Sequence, residues 1–143
     1  MFTIDASVHI NALNTAEENS LDSRTFLAEV HQGTFNIYSP TLLLVEVAAS
    51  VARIFDNTHQ GIALMNAIKT LPGQNWISLD DTLTQIAGEL GAMYRLRGAD
   101  AVYAAVTKKY ETTLVTLDKQ QLERLSPHSS VQSPTDALLS LKS

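Results

Sequence analysis

Short β-prone runs alternate with longer helical patterns along the whole chain, and this alternation restricts the fold more than any other feature. Phe2-Thr3-Ile4 stops at Asp5, and Phe35-Asn36-Ile37-Tyr38 stops at Ser39-Pro40. Trp76-Ile77-Ser78-Leu79 and Thr113-Leu114-Val115-Thr116-Leu117 repeat the pattern. Between the first two runs, Ser20 to His31 places Leu21, Phe26, Leu27 and Val30 at helical spacing, with Gly33 as a stop. Thr41 is placed to cap a helix reaching about Phe55, and Ile62, Met65, Ile68 and Leu71 mark another that ends at Pro72-Gly73. Asp80 or Asp81 can cap a helix carrying Leu83, Ile86, Ala87 and Leu90. Gly98 reads as a break, Ala99 to Tyr110 as an Ala-rich helix and Lys119 to Leu125 as a short one, with Pro127 and Pro134 bounding a weakly marked tail. Such alternation predicts parallel βαβ units in an α/β sandwich, and a length of 143 residues suits one domain over 1–143.

At 45% hydrophobic and 17% charged residues, the chain can build a core. The absence of cysteine excludes disulfide scaffolds, thiolate zinc sites and cysteine nucleophiles. Asp5 interrupts the N-terminus before an apolar run of signal-peptide length, and no stretch approaches the roughly 18 apolar residues of a membrane span, so a cytoplasmic protein is expected. A formal charge of −5 argues against broad nonspecific binding of nucleic acid, although a local basic rim could still hold phosphates.

Four acids occupy informative positions. Asp5 and Asp118 follow predicted strands, and in a parallel sheet such strand ends share one edge, where ligands bind. Turn chemistry is the alternative for Asp5; for Asp118, with Gln121 three residues on, it is helix capping. Glu46 stands alone between Leu42-Leu43-Leu44-Val45 and Val47-Ala48-Ala49; it is either a buried carboxylate that needs a cation, a metal or a raised pKa, or part of an exposed stripe with Ser50 and Arg53. Asp100, two residues after Gly98, is a site acid or a helix cap. Converging carboxylates would repel one another unless divalent cations neutralised them, and oxygen-only ligands suit Mg2+ or Mn2+. The four histidines are scattered; His9, one helical turn beyond Asp5, is the one that could approach such a site.

In these residues the sequence resembles the PIN-domain nucleases, and most of all the VapC-type toxins of bacterial toxin–antitoxin pairs. The resemblance lies in Ile4-Asp5-Ala6-Ser7, Val45-Glu46-Val47, Arg97-Gly98-Ala99-Asp100-Ala101-Val102-Tyr103-Ala104-Ala105 and Leu114-Val115-Thr116-Leu117-Asp118, in the family's order along nearly the whole chain. It implies a three-layer α/β/α sandwich with a central parallel sheet and metal-dependent cleavage of RNA phosphodiester bonds. Asp5, Glu46, Asp100 and Asp118 match the family's acidic quartet, and Ser7 and Thr116 match supporting hydroxyl positions. A homodimer and a cognate antitoxin are also implied.

Setting the quartet aside leaves 10 basic against 11 acidic residues, so the acidic balance no longer opposes an RNA substrate. Arg97 and Lys119, beside Asp100 and Asp118, are candidates to hold phosphate; Arg95 reads more simply as a helix C-terminal cation. Two other functions compete. One is a noncatalytic PIN-like module binding protein or RNA, which retention of all four acids disfavours. The other is a phosphatase or phosphoacceptor, which would look for Asp-x-Asp after the first strand and meets Asp5-Ala6-Ser7 instead. The nuclease reading requires the quartet to share one cleft at the C-terminal edge of the sheet.

Overall fold

In the computed structural model, which describes residues 1–33 and 35–143, strands β1 (Phe2–Ile4), β2 (Ile37–Pro40), β3 (Gln74–Ile77), β4 (Thr113–Val115) and β5 (Val131–Gln132) form one parallel sheet. Their order is β3-β2-β1-β4-β5. The helices are α1 (Ala6–Leu13), α2 (Ser20–Gln32), α3 (Leu42–Phe55), α4 (Thr58–Lys69), α5 (Asp81–Tyr94), α6 (Gly98–Tyr110), α7 (Lys119–Leu125) and α8 (Pro134–Lys142).

The two-residue period of the strands divides their side chains between two layers. Phe2, Ile4, Ile37 and Val115 pack with Val8, Phe26, Val30 and Ala137, so α1, α2 and α8 cover this face. Phe26 is fully buried and meets Phe2 edge-on, with ring centroids 5.4 Å apart. Leu114 and Tyr38 turn the other way, toward Leu43, Val47, Leu83, Leu90 and Tyr103 of α3, α5 and α6. Burying one such side chain is worth about 1.5–3 kcal/mol, which is why strands of two to four residues suffice once both faces are covered. The result is the expected α/β/α sandwich. Among the described residues, no helix is long and apolar enough to cross a membrane.

Several boundaries depart from the sequence reading for identifiable reasons. Phe35 packs against Phe2 (ring centroids 5.6 Å apart) and lies outside the ladder, so β2 starts at Ile37 and takes in Pro40 as its last residue. A proline there forfeits a donor only at the strand end. The register Ile37↔Gln74 to Pro40↔Ile77 starts β3 before Trp76 and leaves Ser78-Leu79 outside it. Helix α1 has no turn residues before it, because Asp5 itself caps it. Gly98 opens α6 instead of breaking the chain, and the supposed tail contains β5 and α8, with Pro134 in the first turn of α8 and Ser133 as its cap.

The α3–α4 pair approaches closely at Gly61, where an added Cβ would lie 2.5 Å from the Ala48 carbonyl oxygen and 3.1 Å from Ala52 Cβ. Alanine gains up to about 1 kcal/mol over glycine in a helix, whereas overpacking costs about 1–3 kcal/mol. Gly61→Ala is therefore expected to lower the melting temperature, and Gly88→Ala, in open space on α5, to raise it. Calorimetry on the two variants checks this; an equal upward shift would contradict the close packing of α3 on α4.

Candidate active site

Because every strand runs the same way, the ends of β1 and β4 open on one edge, and Asp5 and Asp118 stand there. Asp5 ends the ladder by donating its backbone N–H to the Val115 carbonyl (2.9 Å) and caps α1 by accepting from the Ser7 N–H at 3.1 Å. Asp118 caps α7, its Oδ1 accepting from the N–H groups of Gln120 (2.8 Å) and Gln121 (3.1 Å). The capping reading of Asp118 is thus correct as far as it goes, and it leaves Oδ2 free to serve elsewhere. Asp100 is not a cap: Arg97 occupies that position, and Asp100 lies in the first turn of α6. Small residues let α6 lie deep in the fold, with Ala101, Ala104 and Ala105 buried against their surroundings.

Asp5, Glu46, Asp100 and Asp118 line one cavity of about 300 Å3, together with Ser7 and Arg97. Glu46 therefore belongs to the cavity wall, and Ser50 shares that wall. The Tyr103 hydroxyl, on a fully buried side chain, donates to Glu46 Oε1 at 2.7 Å. Ser7 Oγ accepts from the Leu117 N–H (3.1 Å), tying α1 to the loop that carries Asp118. Thr116 Oγ1 accepts from the Asp118 N–H (3.0 Å) and lies 2.6 Å from Gln121 Oε1 and 3.4 Å from Asp5 Oδ2. Arg97 bridges two of the acids, with Nε 3.2 Å from Asp100 Oδ2 and Nη2 2.6 Å from Asp118 Oδ2.

Of the residues singled out in the sequence, Lys119 is exposed at the start of α7 and does not line the cavity. His9 faces away. It lines a separate apolar groove of about 280 Å3 with Leu13, Leu27, His31 and Leu64, between α1, α2 and α4. Tyr103 and Gln121 escaped the sequence reading as supporting residues. Their signal was present, since Tyr103 interrupts an alanine run one helical turn after Asp100 and Gln121 is the partner in the cap pattern of Asp118.

Burial pushes the Asp5 carboxyl above the ordinary carboxylate range, and the charges of Asp100 and Asp118 push it further, against the lowering effect of Ser7. Burial likewise raises Glu46, opposed by the Tyr103 hydrogen bond and reinforced by Asp5 and Asp100. Asp100 is raised by burial and then by the Asp118 charge, with Arg97 acting the other way. Buried carboxylates that also repel one another call for a cation, and every donor in the set is a hard oxygen, the chemistry of Mg2+ or Mn2+. Arg97 already places positive charge between Asp100 and Asp118, so the cavity accommodates a cation there. As arranged, no three Asp, Glu or His side chains among the described residues surround a common point suited to an ion.

A family model described as the PIN domain matches residues 2–126. No curated protein matches the chain. Among solved structures, VapC20 of Mycobacterium tuberculosis, a sarcin–ricin loop cleaving toxin, superposes with a TM-score of 0.72 at 15% identity, covering 86% of this chain and 94% of that one. FitAcB from Neisseria gonorrhoeae gives 0.70 at 18% identity, covering 94% and 98%. VapBC2 from Rickettsia felis, bound to a DNA fragment from their promoter, gives 0.69 at 14% identity, covering 92% and 97%. At these identities the likeness is one of fold.

Asp5→Asn provides a test of the site's electrostatics. Since the folded chain protonates Asp5 more readily than the unfolded one, the wild-type carboxylate makes stability fall as pH rises from the ordinary value of 3.8 through the raised one. Asparagine caps equally well and carries no charge. Without metal, the variant is expected to melt above wild type at mildly alkaline pH, with the gap closing as pH falls toward 3.8. His9, lowered from 6.5 to about 3 by burial, makes both proteins less stable in acid and cancels in the difference. Thermal denaturation in chelator measures the gap; a negative or pH-independent one would contradict the upward shift that burial and the neighbouring acids give Asp5.

Proposed function

Since the chain belongs to the PIN domain family, we propose that it is a Mg2+- or Mn2+-dependent endoribonuclease of the VapC type, the toxin of a type II toxin–antitoxin pair. The observation that carries this reading is the gathering of carboxylates from four separate segments of the chain around one cavity at the sheet edge. Asp5 and Asp100 are the principal metal ligands, and Glu46 and Asp118 complete the set. The bound ion supplies a water of lowered pKa and stabilises charge developing on the phosphoryl oxygens.

The chain's own residues supply the rest. Ser7 and Thr116 fix Asp5 and the Asp118 loop relative to each other, which holds the acids in place before RNA arrives. The Tyr103 hydroxyl occupies Glu46 Oε1, so Oε2 is the oxygen that can take a proton from the attacking water. Arg97, in the cavity wall, and Lys119, exposed and next in sequence to Asp118, receive the phosphates that flank the scissile bond.

The reading includes two protein partners. A solved structure similar in fold is a toxin–antitoxin complex from Klebsiella pneumoniae, and here the groove between α1, α2 and α4 offers apolar walls to an antitoxin segment. Val45, Ile54 and Ile62 leave an exposed apolar surface on α3 and α4 for a homodimer.

Incubation of the protein with structured RNAs in Mg2+ or Mn2+ tests the proposal. Asp5→Asn and Asp100→Asn should each reduce cleavage on the order of 10²-fold or more while circular dichroism shows the fold intact. The double variant should lose little beyond either single one, because the acids act as a unit. Full cleavage by a folded single variant would overturn the mechanism, and RNA binding without cleavage in either metal would favour a noncatalytic module.

A further inference from the structure

The hydrogen bonds of Asp118 engage both oxygens of that carboxylate: Oδ1 caps α7 through Gln120 and Gln121, and Oδ2 receives Arg97 Nη2 at 2.6 Å. Arg97 Nε also takes Asp100 Oδ2, at 3.2 Å. The guanidinium thus holds one oxygen from each of two acids that the metal-dependent reading assigns to the ion. Its side chain is 66% exposed, while those of Asp100 and Asp118 are 13% and 25% exposed, so the cation can swing into solvent and the acids cannot follow it. Arg97 stands at the extended N-cap of α6, where its side chain makes no capping bond that would tether it.

We propose that Arg97 is an intramolecular counter-cation that a divalent metal must displace from Asp100 and Asp118. The inference rests on the metal-dependent reading above and adds that this chain competes with its own cofactor. Without metal, Arg97 offsets the repulsion among the acids; with metal, its guanidinium is released toward the cavity mouth. Each exposed ion pair is individually weak, so the competition tunes metal affinity without abolishing it.

Isothermal titration of Mn2+ into wild type, Arg97→Ala, Arg97→Lys and Arg95→Ala tests this without reference to cleavage. Arg95 is the matched control: it lies two residues away and turns back onto the Ala92 carbonyl, so its loss changes net charge equally without freeing a carboxylate oxygen. Arg97→Ala should bind Mn2+ about three- to tenfold more tightly than wild type, and Arg95→Ala should differ by less than about twofold. Arg97→Lys should fall between them, because an ammonium cannot bridge two carboxylates as a planar fork does. Equal affinities for Arg97→Ala and Arg95→Ala, or weaker binding by Arg97→Ala, would overturn the inference while leaving the nuclease reading standing. Absence of Mn2+ binding in all four proteins would overturn both.

Discussion

A buried carboxylate at the end of the central strand is the constraint on which the rest of the structure depends. Asp5 is 7% exposed, and an isolated charge in such a place is costly. The fold surrounds it with donors: the Ser7 N–H caps onto it, and the Thr116 hydroxyl lies within reach. Those two residues also hold the loop after β4, through the N–H groups of Leu117 and Asp118. The interactions that make Asp5 tolerable thereby also set the position of Asp118. Local order and functional geometry have one cause here.

The same constraint explains the uneven use of helix ends. Asp5 and Asp118 both cap helices and both face the cavity, so capping and site membership are compatible roles of one carboxylate. Asp118 manages this by dividing its oxygens between the two tasks. Glu46, from the interior of α3, and Asp100, from the first turn of α6, depend on other side chains: Tyr103 for the first and Arg97 for the second. Tyr103 is held protonated by burial and by the charges of Asp5 and Glu46, which keeps it a donor.

Much of this was legible in the sequence because it follows from period and from residue chemistry. The alternation of strands and helices gave the parallel sheet, and the parallel sheet put Asp5 and Asp118 on one edge. Glu46 was conspicuous as the lone charge in an apolar helix, though only the fold could choose between cavity and exposed stripe. The hidden elements were those with weak local signals. Helix α1 follows β1 with a single intervening residue, and β5 is two residues long, so only pairing with β4 defines it. The contact between Arg97 and Asp118 spans 21 positions and depends on how α6 meets β4, which no local pattern encodes.

The central proposal is that a divalent cation binds in this cavity on Asp5, Glu46, Asp100 and Asp118. Anomalous diffraction from crystals equilibrated with Mn2+ addresses it directly, since it locates the ion without assuming a reaction. The account predicts a peak inside the cavity, bounded by carboxylate oxygens of Asp5 and Asp100, with Arg97 turned away from Asp118. An empty cavity at saturating Mn2+, or a peak only elsewhere on the protein, would contradict it.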